Sequence, residues 1–298
     1  MADAWLLAGK LQYWAGDDRA VAEQALERAA DCARQSANYR AEVESREFLA
    51  ATYYELDPVD VAISRAERLL DAASGDPWAE AAVLHMLSGQ YGAAGRLADA
   101  RAAYRRSQSI FAASGARFDW ATRSIEAGRT ELIAGDPAVA EQNVREGYDV
   151  LCAMGERGWS ATAATILAEA AYAQGRLGQA LQLTKEAEAL APPGDPDPQA
   201  RWRATRAKVL ARRGQYPAAA RLADEAVALI PPTLGPPWLA EFLMARAEVS
   251  QLAGALDQAE ADLRRALQIY QDRRIVPLAG RTRALLASLT GQRATLKP

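Results

Sequence analysis

The chain has 298 residues, a formal net charge of −3 and a pI near 5.5, with 35 basic side chains set against 38 acidic ones along its length. That balance argues against nucleic-acid binding, which needs a basic excess or stripe, and no apolar run approaches the roughly 18 residues of a bilayer-spanning helix. Half the residues are hydrophobic but only 7% are aromatic; much of the apolar content is alanine, which favours helix because it loses no side-chain entropy there.

The start, Met1-Ala2-Asp3-Ala4-Trp5, has no basic leader region, so a cytoplasmic location is expected. A first helix with Trp5, Leu6 and Leu7 and no polar cap is expected to be covered by an N-terminal partner domain or by a second copy in a homodimer. A turn signature then recurs: Gly16-Asp17-Asp18, Asp57-Pro58, Gly95-Arg96, Gly135-Asp136-Pro137, Gly175-Arg176, Gly214-Gln215 and Gly254-Ala255. Successive spacings are 41, 38, 40, 40, 39 and 40 residues. A glycine at such a point ends a helix, because a left-handed residue suits a side chain without Cβ. Asp followed by Pro opens the next helix as cap and first residue, which predicts Asp57 and Asp136 as caps. Two proline-rich stretches, Pro192–Pro198 and Pro231–Pro237, read as connectors between repeats, with a recognition loop as the alternative. Pro277 to Thr290, with Leu278, Leu285, Leu286 and Leu289, reads as one closing helix. The expected division is seven hairpins over 1–276 and a capping helix with its tail over 277–298.

Chemistry is sparse. The single histidine, His85, disfavours triads and histidine-paired metal sites; no Walker-type phosphate loop is present; no cofactor and no catalytic role are expected. Cys32 and Cys152 are expected to be two separate buried thiols. Six of the seven tryptophans fall near predicted helix starts, among them Trp78, Trp159, Trp202 and Trp238, and read as seam-packing residues with ligand contact as the alternative.

In the third unit Gly95, Ala100, Tyr104 and Ser107, preceded by Leu87, Ser88 and Tyr91, resemble the tetratricopeptide repeat; Leu167, Ala168, Gly175, Ala180, Ala187 and Pro192 repeat the pattern in the fifth. The resemblance covers roughly residues 3–290. The family repeat is about 34 residues against about 40 here, and the fourth unit departs further, with Val144 and Gly147 where an aromatic and an alanine are usual. Arrays of this long-helix kind resemble the C-terminal halves of large bacterial signal-transduction ATPases, nucleotide cyclases and maltose-regulator-like transcription factors.

The resemblance implies an all-α, right-handed α-solenoid of about seven antiparallel helical hairpins, with the first helix of each hairpin lining a concave groove. Carried onto this sequence, the groove positions include Tyr13, Glu47, Tyr54, His85, Arg129, Glu169, Tyr172, Arg201 and Lys208, with Arg212 adjacent, then Glu241 and Glu248. His85 lies between Gly89, Gly92 and Ala82, a floor of small residues, and Arg129, Arg201, Lys208 and Arg212 suggest an acidic peptide as ligand. Two functions follow as expectations: a non-catalytic scaffold binding a protein or peptide in a bacterial regulatory system, or a small-ligand sensor relaying to an attached ATPase or cyclase domain.

Overall fold

A computed structural model describes residues 1–15, 19–73, 75–230 and 235–296. Fifteen helices and no strand occur among them: α1 (Ala2–Ala15), α2 (Arg19–Gln35), α3 (Tyr39–Leu56), α4 (Val59–Ala72), α5 (Pro77–Ala93), α6 (Leu97–Ala113), α7 (Arg117–Ala134), α8 (Pro137–Ala153), α9 (Gly158–Ala173), α10 (Leu177–Leu190), α11 (Pro196–Arg212), α12 (Tyr216–Ala228), α13 (Pro236–Leu252), α14 (Leu256–Asp272) and α15 (Val276–Leu296). Consecutive helices pair as hairpins, and each odd-numbered helix from α1 to α11 also packs against the next odd-numbered one. The result is the expected all-α solenoid.

The recurrent glycines act as expected. Gly95, Gly135, Gly175, Gly214 and Gly254 hold φ between 74° and 86°, and the following residue returns its N–H to the last turn, as Arg96 does to Tyr91 O at 2.8 Å, which satisfies carbonyls left over at a helix end. Asp136 caps α8, its side chain accepting from Val139 N at 3.3 Å. The first turn, Gly16 to Asp18, lies outside the described residues, as does Pro231 to Leu234 of the second proline-rich stretch. In the other stretch Asp195 caps α11, and Pro196, Asp197 and Pro198 are helical. A second turn series, between hairpins, also uses positive φ: Ala37, Gly75, Gly115, Gly155, Gly235 and Arg274.

The departure in the fourth unit has a steric cause. A Cβ at Gly147 would sit 2.7 Å from Ala121 O, so only glycine lets α8 cross α7 this closely. One cysteine expectation is corrected: Cys152 is exposed and Cys32 half-buried, both as free thiols, because position 152 falls on the outer face of α8.

The turn at Asp57-Pro58 also differs from expectation. Helix α4 begins at Val59, Pro58 takes the cap position, and no side chain caps it. Instead Val59 N donates to Arg273 O at 2.9 Å, while Asp57 accepts from Arg65 at 2.8 Å. This backbone bond joins residues more than 200 positions apart and is one part of a closure. Arg273 Nη2 donates to Tyr54 O at 2.7 Å, Arg274 pairs with Asp60, and Pro277 lies beside Gly95. Arg281 donates to Leu132 O and Ile133 O at 3.2 and 3.0 Å, where a cation suits the negative end of α7. Beneath these bonds one apolar core unites Ala50, Val59, Ile63, Val83 and Leu87 with Leu243, Tyr270, Ile275 and Ala279. The seventh hairpin and α15 thus pack onto the second to fourth, and the solenoid closes on itself.

Tyr270 is 1% exposed in this shared core. Tyr270→Ala is expected to cost about 3–5 kcal/mol, as large-to-small changes of buried aromatics do, and to expand the molecule in small-angle scattering. Arg274→Ala removes only an exposed ion pair and should change the urea midpoint little, about 0–1 kcal/mol.

Candidate functional site

Closure turns the concave groove into a cavity of about 750 Å³. Helices α7, α9, α11 and α13 form its floor, and α15 crosses above them as a roof. Arg129, Glu169, Arg201, Lys208, Arg212 and Glu248 line it, together with Glu241. Their spacing explains the grouping: positions about 40 residues apart stand side by side on adjacent odd-numbered helices.

The floor is a ladder of ion pairs. Arg201 bonds Asp197 at 2.5 Å and Glu241 at 2.7 Å, and Arg129 reaches the same Asp197 at 2.9 Å. Both guanidinium groups lie over the Trp238 ring, at 4.9 and 5.1 Å from its centroid. Lys208 pairs with Glu169, which also accepts from Thr205 at 2.9 Å. Tyr172 donates to Glu248, and Arg212 donates to the Tyr172 hydroxyl at 3.1 Å and approaches Glu248 at 3.4 Å.

Burial and charged partners compete at Arg201 and Glu169, and the partners prevail at both. For Arg201 burial lowers the pKa, but Asp197 and Glu241 outweigh it and hold it above the ordinary value. Burial would raise Glu169, yet Lys208 brings it below 4.5. Tyr172 is raised by burial and then by Glu248. Glu126, on the same face of α7, is raised above 4.5 by burial, which Arg129 only partly offsets.

The remaining predicted groove residues lie outside the cavity lining. Tyr13 is buried edge-on against Phe48, with ring centroids 5.3 Å apart. Glu47 forms a two-pronged pair with Arg123 of α7. Tyr54 packs against the closure core and is raised by burial and the nearby Glu126. His85 is buried, its Nδ1 has no hydrogen-bond partner, and burial followed by Arg123 drives its pKa well below 6.5. The small-residue floor beside it is a helix contact: Glu126 and Thr130 of α7 stand against Gly89 and Gly92.

Asp197, Glu126 and the α15 roof were not foreseen as site elements, whereas Trp238, expected to pack a seam with ligand contact as the alternative, lies under the Arg129 and Arg201 guanidinium groups. Asp197 carried a readable signal, since Asp195-Pro196 repeats the cap signature of Asp136-Pro137 and so places Asp197 in the first turn of α11. The tryptophans divide: Trp202 is 4% exposed in a core, Trp78 packs on Phe111 at 5.4 Å, and Trp159 is 47% exposed. Among the described residues no group of three His, Cys, Asp or Glu side chains is placed to hold a metal ion, and no helix is long and apolar enough to cross a membrane.

No protein-family model and no curated protein matches the chain in sequence. Solved structures do match in shape. A tetratricopeptide repeat protein from Parabacteroides merdae ATCC 43184 aligns over 94% of this chain and 98% of its own, with TM-score 0.53 and 14% identity. The fold is that of the tetratricopeptide repeats. Two Rap proteins share this repeat architecture. The apo form of RapI aligns over 91% of this chain and 98% of its own, with TM-score 0.64 and 12% identity. A Rap protein complexed with Competence and Sporulation Factor aligns over 91% and 80%, with TM-score 0.58 and 12% identity.

Two substitutions probe how this repeat array carries its charges. Lys208→Met leaves Glu169 without its cation. It is expected to destabilise by about 1–3 kcal/mol, less than a fully buried pair because Glu169 is 32% exposed, and Lys208→Met with Glu169→Leu should recover most of the loss. The wild-type pair contributes above pH 4.5, the ordinary carboxylate value, and fades as pH falls through the lower folded value. Glu126 has the opposite sign. Its folded pKa is raised, so the ionised form opposes folding at neutral pH. Glu126→Gln should melt higher than wild type at pH 7, with the gap closing as pH falls toward 4.5.

Proposed function

We propose that the chain is a non-catalytic binding module that holds a short peptide, or the end of a partner protein, in the roofed cavity. The carrying observation is that cavity: about 750 Å³, with one polar and one apolar side, built from four hairpins and α15. Support comes from the Rap neighbour that shares the fold and is complexed with Competence and Sporulation Factor. That factor's name also supports a regulatory role in a bacterial setting. On the division into hairpins over 1–276 and a cap over 277–298, side chains between Arg129 and Tyr270 wall the site and Leu278, Arg281, Leu285 and Gln292 roof it. On α1, Leu7 and Leu11 are each 59% exposed one turn apart, which supports an N-terminal partner domain or a homodimer there.

One observation favours a small-ligand sensor as the second reading: the cavity falls in the range of about 300–1,000 Å³ typical of small-molecule pockets, and α15 covers it. Thermal-shift screening of the full chain against random hexapeptide pools and a metabolite library separates the two. Peptides are expected to raise the midpoint by several degrees, since a hundredfold excess over Kd stabilises by about 2.7 kcal/mol. A response to metabolites alone transfers the site to the sensor reading, and silence from both libraries removes both.

A further inference from the structure

Resting on the binding reading above, we infer that the cavity selects an uncharged, largely apolar peptide segment, and not the acidic one that its basic residues invite. Each cation on the floor already has an internal counter-ion, although Arg129 Nε and Arg201 Nη2 are buried without a hydrogen-bond partner and remain free to meet a neutral acceptor. Arg129 and Arg201 share Asp197, and Arg201 also holds Glu241; Lys208 holds Glu169, and Arg212 holds Tyr172 and Glu248. On the roof, Arg281 is spent on the carbonyls of Leu132 and Ile133. Three floor cations are also poorly accessible, with Lys208, Arg201 and Arg129 side chains 8%, 11% and 18% exposed. At Arg129, Arg201 and Lys208 a ligand carboxylate would have to displace an internal one. The displaced group stays where it is, desolvated and without a counter-ion, and that loss cancels the gain from the new pair.

The apolar side has no such internal occupant. Leu278 and Leu285 stand two turns apart on α15 and line the cavity together with Met244, Leu132 and Ile133; Leu278 also packs on the closure core. Leu285 is 36% exposed although it lines the cavity. Apolar surface left wet in a concave site is the main source of affinity available to a ligand there. The polar contacts that carry no charge sit on the same wall: Gln251 Nε2 donates to Gln292 Oε1 at 3.0 Å, joining α13 to α15. Such amides can exchange one partner for a peptide backbone group without stranding an ion. The chemistry that fits is therefore a short extended segment with apolar side chains, read by α15, and a backbone read by neutral amides.

The test uses the full chain with three pools of acetylated, amidated, fluorescently labelled hexapeptides, one apolar and uncharged, one acidic and one basic. Anisotropy titrations are run at low and high salt, for wild type and for Leu285→Asp. The apolar pool is expected to bind about tenfold tighter than either charged pool, with less than about twofold change between roughly 0.05 and 0.5 M salt, where screening would weaken an ionic contact. Leu285→Asp should weaken it by about tenfold while leaving the melting curve near wild type, because Leu285 is exposed. Tighter, salt-sensitive binding of a charged pool overturns this inference and leaves the binding reading standing. Apolar binding that Leu285→Asp does not weaken overturns it too, by locating the peptide elsewhere, such as on Leu7 and Leu11. Failure of all three pools to bind removes the binding reading with it.

Discussion

The packing of α14 and α15 onto α3, α4, α5 and α7 is the contact on which the rest of the molecule depends. A tetratricopeptide array is ordinarily one-dimensional: each hairpin meets its neighbours, and stability is a sum of local terms. Here Tyr270, Leu243 and Ile275 enter the same core as Val59, Val83 and Leu87. Contacts over such a separation bear a loop-closure entropy that grows only slowly with length, and the burial they bring offsets it. The array becomes a ring in which loosening any seam loosens the closure. The residues that bolt it are local exceptions: Pro58 leaves the start of α4 uncapped, and Arg274 holds a left-handed φ of 56° where the equivalent turns place glycine. The uncapped N–H receives Arg273 O, and the strained arginine meets Asp60. Each departure from the repeat is repaired by the other end of the chain.

The site inherits its shape from that closure. Four odd-numbered helices would present a shallow trough on their own. With α15 tied down at Arg273, Arg274 and Arg281, the trough gains an apolar lid carrying Leu278 and Leu285. The ion pairs serve the same geometry from below. Arg201 to Glu241, Lys208 to Glu169 and Arg212 to Glu248 each join one hairpin to the next, so the floor fixes the spacing of the helices and with it the curvature that brings the two ends together.

Much of the fold was legible because the repeat writes the same physical requirement at five of its turns among the described residues. A glycine with positive φ at the end of a helix, and an Asp-Pro pair at the start of another, are local demands that one sequence exposes. The second turn series, at Gly75, Gly115 and Gly155, is equally local but less uniform in residue type, since Ala37 and Arg274 hold the same left-handed conformation at its ends. Ring closure was not legible. It depends on superhelical curvature summed over the whole array, which no single residue of the α14–α15 junction encodes. The groove positions were found in register, so Arg129, Glu169, Arg201, Lys208, Arg212 and Glu248 do meet in space. Tyr54 and His85 do not reach the cavity, because the closure core and α7 cover the part of the groove they would have lined.

Closure also explains why the charges themselves misled. On an open concave face a lone arginine is solvated and free to meet a ligand, and a list of groove residues can be read directly as a list of contacts. Inside a ring water is partly excluded, and an unpaired ion there becomes costly. A closed array gains by supplying internal partners for the charges it turns inward, and for Arg201, Lys208 and Arg212 the spacing of about forty residues supplies them: each finds an acidic residue near the same position of a neighbouring unit. The alternation of acidic and basic sectors along the groove is thus the signature of a surface that satisfies itself. What such a surface leaves unsatisfied is its apolar part, and in this molecule that part lies on the one helix that belongs to no hairpin.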